Sequence, residues 1–421
     1  MEKLKNRWIQ LALTFAVFII ISGPQYQWAL FVKPLLAKFQ KPLSEVQIVF
    51  SLVIVCMTFI TPLAGYFHDR FNSKVIIGLG LMMSSGSWLL ASQANSLIEF
   101  YIYYGVIGGL GAGIAFIGCT GLIQKCFPDI RGFATGILSS GYALGPILTT
   151  YSIAHSIDTK GIESTLQCFG IIFFIASLIV ISGLRNSKEI IPNNNITRPV
   201  HEGLNSITML KSKVFWLMFF MMCMIATCGM MITSNIAIIA KESGIGSEII
   251  MLGMAALPLA LLIDRITNGF SRILFGMISD KIGREYTLGI AFVLEALFMY
   301  LWFTQLQNPI MFILLSGMVF LAWGEIFSIF PALCTDTFGE KNASVNFGFL
   351  YTSVGIGSIF GGPLAALLRE KLGNWNLAFY IIICLDLLTA FLAIFVLKRM
   401  RLHFKETIRE RLDIQTSSQL T

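Results

Sequence analysis

Four polar side chains follow one another along a single apolar segment. Asp264, Arg265, Asn268 and Arg272 lie in it, and residues 265, 268 and 272 have the i, i+3, i+7 spacing of one helix face. A guanidinium offers a planar fork of hydrogen-bond donors that fits a carboxylate. The stripe therefore predicts an anion-binding site with Arg272 as its anchor and Asn268 beside it. The alternative is that Arg272 reaches the membrane surface or braces Asp280.

A carboxyl group, Glu325, lies inside a second apolar segment between two aromatic residues. An ionisable group within the apolar layer of a membrane is costly and usually functional. Two interpretations stay open for Glu325. It either pairs with Arg265 or Arg272, or it carries a coupling proton. We expect Asp264 to neutralise Arg265 in part. Two further acids in apolar segments, Glu295 and Asp386, rank lower, as packing or interface residues.

These residues must be positioned by membrane-spanning helices. The chain is 56% hydrophobic and 13% charged over 421 residues, and its apolar runs have the length of about twenty residues that crosses a bilayer. Helices satisfy their own backbone hydrogen bonds in lipid, so we predict an all-α membrane protein. We number the twelve predicted spans in chain order: 8–32, 46–67, 75–93, 100–124, 132–154, 165–184, 214–239, 249–277, 286–305, 309–334, 346–369 and 375–397.

A short sequence occurs twice, after span two and after span eight. The copies are residues 65–74 and 276–284, and their aspartates, Asp69 and Asp280, lie 211 positions apart, half the length of the chain. A duplicated loop in an apolar chain indicates two pseudo-symmetric bundles of six helices that face each other across a cavity. That is the architecture of a carrier.

The duplicated loops are predicted to act as conformational latches. Asp69 or Asp280 can lie beside a helix N-terminus or a basic partner and hold the halves in one state. Arg70 and Arg284 are the arginines of the two copies, and we include them in the predicted latch.

The one long polar connection divides the chain six plus six. We predict a first bundle at 1–184, a cytoplasmic linker at 185–213, a second bundle at 214–397 and a cytoplasmic tail at 398–421. By this topology 21 of the 30 lysines and arginines lie on one side of the membrane and seven on the other. We call the richer side the basic side. Positive residues stay in the cytoplasm, so both termini are predicted to be cytoplasmic.

Several function classes find no support in the sequence. The eight cysteines show no metal-ligand or redox spacing, and the four histidines are scattered through loops and ends. We therefore predict no catalytic residues, no metal and no cofactor, and the protein is not expected to be an enzyme. The net charge of +7 reflects topology, so we expect no nucleic-acid partner.

Twelve spans, the six-plus-six division and the glycine-aspartate-basic loops resemble the major facilitator superfamily. Within it, the chain is most similar to the oxalate:formate antiporter family. The resembling stretches are residues 21–28, 127–132, 140–145, 268–272, 323–331 and 346–349. The resemblance implies the major facilitator fold and transport of a small carboxylate. Arg272 falls on the family's substrate-facing arginine. The family's central aromatic positions fall on Phe31, Phe116, Tyr142, Trp323 and Tyr351.

One departure narrows the expected substrate. Oxalate exchangers of this family carry a lysine in span eleven that falls here on Val354. The loss of one of two cations favours a monocarboxylate such as formate, lactate or pyruvate over oxalate. We expect alternating access, by proton symport or anion exchange, in a monomer of the bacterial inner membrane. The alternatives are an efflux carrier for drugs or other metabolites, motivated by the glycine-proline pattern of span five, and a transporter-like carboxylate sensor.

Overall fold

The described residues fold almost entirely into helices. The computed structural model of the protein describes residues 2–41, 43–186, 204–245, 250–251 and 254–418. In the first half the helices are Glu2–Ile21, Gly23–Tyr26 and Trp28–Phe39 (span one), Leu43–Phe59 and Thr61–Arg70 (span two), Ser73–Ala91 (span three), Leu97–Phe100, the π-helical Tyr101–Ile107 and Gly108–Cys126 (span four), and Arg131–Gly183 (spans five and six).

The second half repeats this arrangement. Its helices are Ser206–Leu210, Lys213–Glu242 (span seven), Ala256–Ile282 (span eight), Arg284–Thr304 (span nine), Pro309–Trp323 and Ile326–Phe338 (span ten), Ala343–Ile359, the π-helical Phe360–Leu364 and Ala365–Leu372 (span eleven), and Asn376–Phe391, the π-helical Leu392–Leu397 and Lys398–Ser418 (span twelve and the tail). Two strands, Ile250–Met251 and Met254–Ala255, pair antiparallel before span eight.

The predicted all-α fold of twelve spans is confirmed. Ten helices in the described part of the chain are long and apolar enough to cross a membrane. One of them, Arg131–Gly183, contains both span five and span six, because Gly161 leaves the helical conformation at φ 80° and ψ 170° and joins two helices there. Span eight is not among the ten, and it carries the charged stripe of residues 264, 265 and 272. Counting Arg131–Gly183 as two helices and adding span eight gives the twelve spans.

Some predicted boundaries are wrong. Span eight begins at Ala256 and not at residue 249, because Ile250–Met251 and Met254–Ala255 form the small strand pair. Part of the predicted linker is helical at Ser206–Leu210, and just before that helix the Leu204 amide donates a hydrogen bond of 2.8 Å to the Phe338 carbonyl. Residues 187–203 of the linker lie outside the described residues, so the domain boundaries stay a prediction.

The two halves meet through two matching helix pairs, span two with span eleven and span five with span eight. A shift of six spans exchanges these pairs, as the duplicated loop predicts. Glycines allow the approach. A Cβ atom on Gly65 would lie 2.5 Å from the Ser344 carbonyl oxygen, and one on Gly276 would lie 2.2 Å from that of Gly132. Both contacts lie at the basic side, which is therefore closed.

We predict that Gly276→Val separates the halves at the basic side. The added side chain has no space, and overpacking costs about 1–3 kcal/mol, so the equilibrium should move toward the form in which span five and span eight are apart. Spin labels on the basic-side ends of these spans should report a longer distance. Gly86→Val is the matched control, because a Cβ atom there meets nothing within 4 Å. An unchanged distance in Gly276→Val would contradict the prediction.

Candidate functional site

Arg272 lies at the centre of the contact between the halves. Its Nε and Nη2 donate to Asn268 Oδ1 at 3.2 and 2.9 Å, and its Nη1 donates to the Ser139 carbonyl at 2.8 Å. The side chain is 1% exposed, and its guanidinium lies 4.4 Å from the centre of the Phe327 ring. Because Ser139 belongs to span five, one cation contacts both halves. Asn268 and Arg272 lie on one helix face, as the spacing predicts, and the hydrogen bonds between them are an addition from the structure.

Arg265 occupies a second cationic position on the same helix. Its guanidinium lies 4.3 Å from the centre of the Tyr26 ring, in the first half, and it is within electrostatic range of Arg272. Its sequence neighbour Asp264 turns to span ten, where Oδ1 accepts a hydrogen bond of 2.9 Å from Ser316. Within the described residues neither arginine forms a salt bridge with a carboxylate. The site therefore presents positive charge to an aromatic surface.

An aromatic cluster joins the two arginines. It consists of Tyr26, Phe116, Tyr142, Phe327 and Tyr351, and we call it the central aromatic cluster. Phe116 stacks on Tyr351 across the halves with ring centres 4.6 Å apart, and Tyr26 meets Tyr142 at 5.4 Å. Phe327 completes it at 6.4 Å from Tyr351. Rings of both halves thus lie between two guanidinium groups, that of Arg265 at Tyr26 and that of Arg272 at Phe327.

Two of the predicted aromatic residues lie elsewhere. Phe31 is fully buried in the core of the first half, where its ring centre is 5.5 Å from that of Trp88. Trp323 donates from its indole nitrogen to the Ile225 carbonyl at 2.9 Å, so it braces span ten against span seven. It touches the central aromatic cluster only through Phe327. The structure does not bring Phe31 to the arginines.

The predicted ion pair of Glu325 is not formed. Glu325 is fully buried in the break between the two helices of span ten, and neither carboxyl oxygen has a hydrogen-bond partner. Arg272 is within electrostatic range of it, but no salt bridge joins Glu325 to Arg272 or Arg265 among the described residues. Of the two interpretations that the sequence left open, pairing is wrong for this conformation.

Sequence reasoning missed Tyr26, Phe327 and Ser139. A signal exists for Tyr26, since it lies between Gln25 and Gln27 in an otherwise apolar helix. Its neighbour Gln25 accepts a hydrogen bond of 2.7 Å from the Tyr142 hydroxyl. Ser139 contributes only a backbone carbonyl, which no side-chain pattern can reveal.

At the basic side, Asp280 caps a helix of the opposite half. Its two carboxylate oxygens accept hydrogen bonds from the amides of Gly132 and Phe133 at 3.0 and 2.8 Å, in the first turn of span five. Arg284 pairs with the same carboxylate at 2.5 Å. An anion at a helix N-terminus is stabilised both by the free amides and by the helix dipole.

Asp69 forms the matching contact in the reverse direction. Its Oδ2 accepts a hydrogen bond of 3.0 Å from the amide of Val345, in the first turn of span eleven. Its basic partner is Lys125 at 2.7 Å, which sequence reasoning missed. Arg70 instead lies 3.8 Å from the centre of the Tyr66 ring on its own helix. The structure therefore places Arg70 outside the contacts of Asp69, contrary to the predicted latch.

Further ion pairs surround the capped end of span five. Arg131 pairs with Asp336 at 2.6 Å and also with Glu340, and Arg284 pairs with Asp336 at 3.1 Å. The pairs of Arg131 join the first half to the second, and Arg284 ties Asp336 to span nine within the second half, so the basic side is held shut by a network and not by one bond.

Comparison with known proteins places this architecture in a family. The model of the Major Facilitator Superfamily matches residues 13–268 and 259–415. The chain belongs to the major facilitator superfamily. It is 28% identical over 412 residues to the oxalate:formate antiporter of Oxalobacter formigenes, which covers 96% of this chain and 95% of the relative. It is 22% identical over 345 residues to monocarboxylate transporter 10 of Danio rerio, with 79% of this chain and 65% of the relative covered.

Solved structures agree on the fold. A structure of the proton:xylose symporter XylE matches with a TM-score of 0.76 at 15% identity, covering 94% of this chain and 96% of that one. At this identity the likeness concerns the fold alone. The protein is thus a multi-pass major facilitator superfamily transporter.

We predict that Asp280→Asn loosens the capped end of span five in this major facilitator protein. Removal of the carboxylate charge should cost about 1–2 kcal/mol of capping and dipole stabilisation. Hydrogen exchange should show faster exchange of the Gly132 and Phe133 amides. Asp158→Asn, which removes an exposed carboxylate, is the control and should leave these amides unchanged. Equal exchange in both variants would show that Asp280 does not hold the end of this helix.

Proposed function

We propose that this protein carries a small monocarboxylate anion across the bacterial inner membrane by alternating access. The observation that carries the proposal is Arg272, a buried guanidinium without a carboxylate partner among the described residues, which faces an aromatic ring and contacts both halves. A buried cation needs an anion. A substrate carboxylate that binds Arg272 supplies this anion. It would lie between the two halves, at the place where they separate during alternating access.

The balance of charge supports a substrate with one negative charge. Asp264 lies within electrostatic range of Arg265, and we propose that it offsets part of that charge. Arg272 then contributes one uncompensated positive charge, provided that Glu325 carries a proton. Val354, at the position where oxalate exchangers of the family have lysine, adds no second cation and is itself buried. The two relatives, an oxalate:formate antiporter and a monocarboxylate transporter, support carboxylates as the substrate class.

The closed basic side supports alternating access. We propose that this side is cytoplasmic, that the reciprocal contacts of Asp69 and Asp280 hold it shut in one state, and that the halves 1–184 and 214–397 rock about the substrate site. The glycine contacts of spans two, five, eight and eleven suit this motion, because they hold the helices together without interlocking side chains. We propose a monomer, since each half finds its partner within the chain.

We predict that Arg272→Gln abolishes carboxylate transport. Two charge-assisted hydrogen bonds contribute about 3 kcal/mol, so the apparent affinity should fall about 100-fold. The measurement is counterflow in proteoliposomes preloaded in turn with formate, lactate, pyruvate and oxalate. Arg369→Gln is the control, because Arg369 pairs with Glu242 at the side opposite the basic side.

Each outcome of this assay has a defined meaning. Monocarboxylate counterflow that Arg272→Gln loses and Arg369→Gln keeps supports the proposal. Preference for oxalate would show that Arg265 acts as a second anchor. No carboxylate counterflow in the parent protein would reject the substrate class and favour the efflux carrier, and carboxylate binding without counterflow would favour the sensor.

Glu325 links the anion to a proton. Arg272 is the cation within electrostatic range of this buried carboxyl, whose burial favours the protonated form over the ionised one. A substrate carboxylate that neutralises Arg272 strengthens this preference, so a proton stays on Glu325 while the anion is bound. Anion and proton then move together, which is symport.

We predict that Glu325→Gln uncouples transport from the pH gradient. Glutamine keeps the shape of a protonated carboxyl but cannot release a proton. Uptake driven by an inward proton gradient should fall to the level seen without the gradient. Glu163→Gln, which removes an exposed partner of Lys38, is the control. Gradient-driven uptake that survives in Glu325→Gln would exclude the proton role and leave anion exchange.

A further inference from the structure

Two acids that the proposed transport site does not use are completely buried in the second half. Glu295 in span nine and Asp386 in span twelve are both 0% exposed. Neither carboxyl oxygen of Glu295 has a hydrogen-bond partner, the Cys228 thiol is the polar side chain that faces Asp386, and neither acid forms a salt bridge within the part of the chain that the structure describes. A buried polar group in this condition calls for a ligand that is not a side chain.

The packing of the two helices places these acids at the same level. Spans nine and twelve run antiparallel, with the ring centres of Trp302 and Phe379 5.7 Å apart. Glu295 lies seven residues before Trp302, and Asp386 lies seven residues after Phe379. Seven residues are about two helical turns. Because the two helices are antiparallel, moving two turns away from the Trp302–Phe379 contact along each helix places Glu295 and Asp386 at the same level.

A second contact fixes this register from the other end. A Cβ atom on Gly289, six residues before Glu295, would lie 3.6 Å from the Ala390 carbonyl oxygen, four residues after Asp386. The two acids are therefore bracketed by contacts on both sides. Each lies within electrostatic range of the other.

The elements packed around the pair contribute acids and a thiol. Span seven brings Cys228, whose sulfur lies 3.9 Å from the Ile382 carbonyl, one turn before Asp386. Span ten brings Glu325, which lies within electrostatic range of both acids and whose two oxygens are also buried and unpartnered. Span eight brings Arg272, which acts on Glu325. No group of three or more possible metal ligands is found among the described residues.

We propose that Glu295 and Asp386 form a proton-binding site in the core of the second half. Two adjacent buried carboxyl groups without a cation cannot both ionise, so the pair holds at least one proton near neutral pH. The O–H of a protonated carboxyl can donate a hydrogen bond to an oxygen of the other carboxyl. The apolar neighbours offer no hydrogen bond to either acid. Glu325 connects this site to Arg272 and thus to the anion. The connection rests on the proposed carboxylate transport; the proton site itself does not.

Infrared spectroscopy of the purified full-length protein tests the site without any substrate. At neutral pH the parent should show the carbonyl band of buried protonated carboxyl groups. The double variant Glu295→Gln with Asp386→Asn should lose part of this band, and Glu163→Gln should keep it all. If the double variant does not fold, either single variant should shift the band, because the remaining acid loses its carboxyl partner. A band that is the same in the parent and in these variants overturns the proposal.

Transport then tests the connection. In proteoliposomes with a pH gradient, Glu295→Gln and Asp386→Asn should each reduce gradient-driven carboxylate uptake toward the level without a gradient, while Glu163→Gln should not. Gradient-driven uptake equal to the parent in both single variants overturns the connection. Absence of carboxylate counterflow in the parent would reject the proposed function, whereas the infrared result would still decide the proton site.

Discussion

The structure depends on a reciprocal contact in which an aspartate of each half caps a helix of the other. Asp280 accepts hydrogen bonds from the first turn of span five, and Asp69 accepts one from the first turn of span eleven. Amides at a helix N-terminus have no partner within the helix, so a carboxylate there satisfies them and the helix dipole together. Each cap belongs to a duplicated loop, and so the duplication holds the two halves face to face.

The distribution of buried charge follows from this closed arrangement. Unpaired guanidinium groups lie where the halves meet, beside rings of both halves. Unpaired carboxyl groups lie within the second half, at Glu325, Glu295 and Asp386. In the proposed transport function, the positive groups between the halves bind the anion and the buried acids of the second half bind protons. Arg272 is the link between them, because it lies within electrostatic range of Glu325.

Much of the fold was predictable from the sequence because a bilayer restricts it strongly. Apolar runs of membrane length must be helices, and the charged stripe 264, 265, 268 and 272 had to share a face. The beginning of span eight was not predictable, since Ile250–Met251 and Met254–Ala255 are apolar enough to continue a helix but pair as strands. The site was predicted in part. Arg272, Asn268, Phe116, Tyr142 and Tyr351 come together, but Phe31 packs in a separate core.

The sequence alone determined the class of the protein, its duplication and the identity of the cation that faces the other half, because hydropathy and helical spacing are local properties. Only the tertiary structure decided the partners. Lys125 and not Arg70 pairs with Asp69, no described side chain forms an ion pair with Glu325, and Glu295 lies within electrostatic range of Asp386, 91 positions away in the chain. Such pairings depend on how helices distant in the chain pack and rotate about their axes, and no periodicity within one helix contains that information.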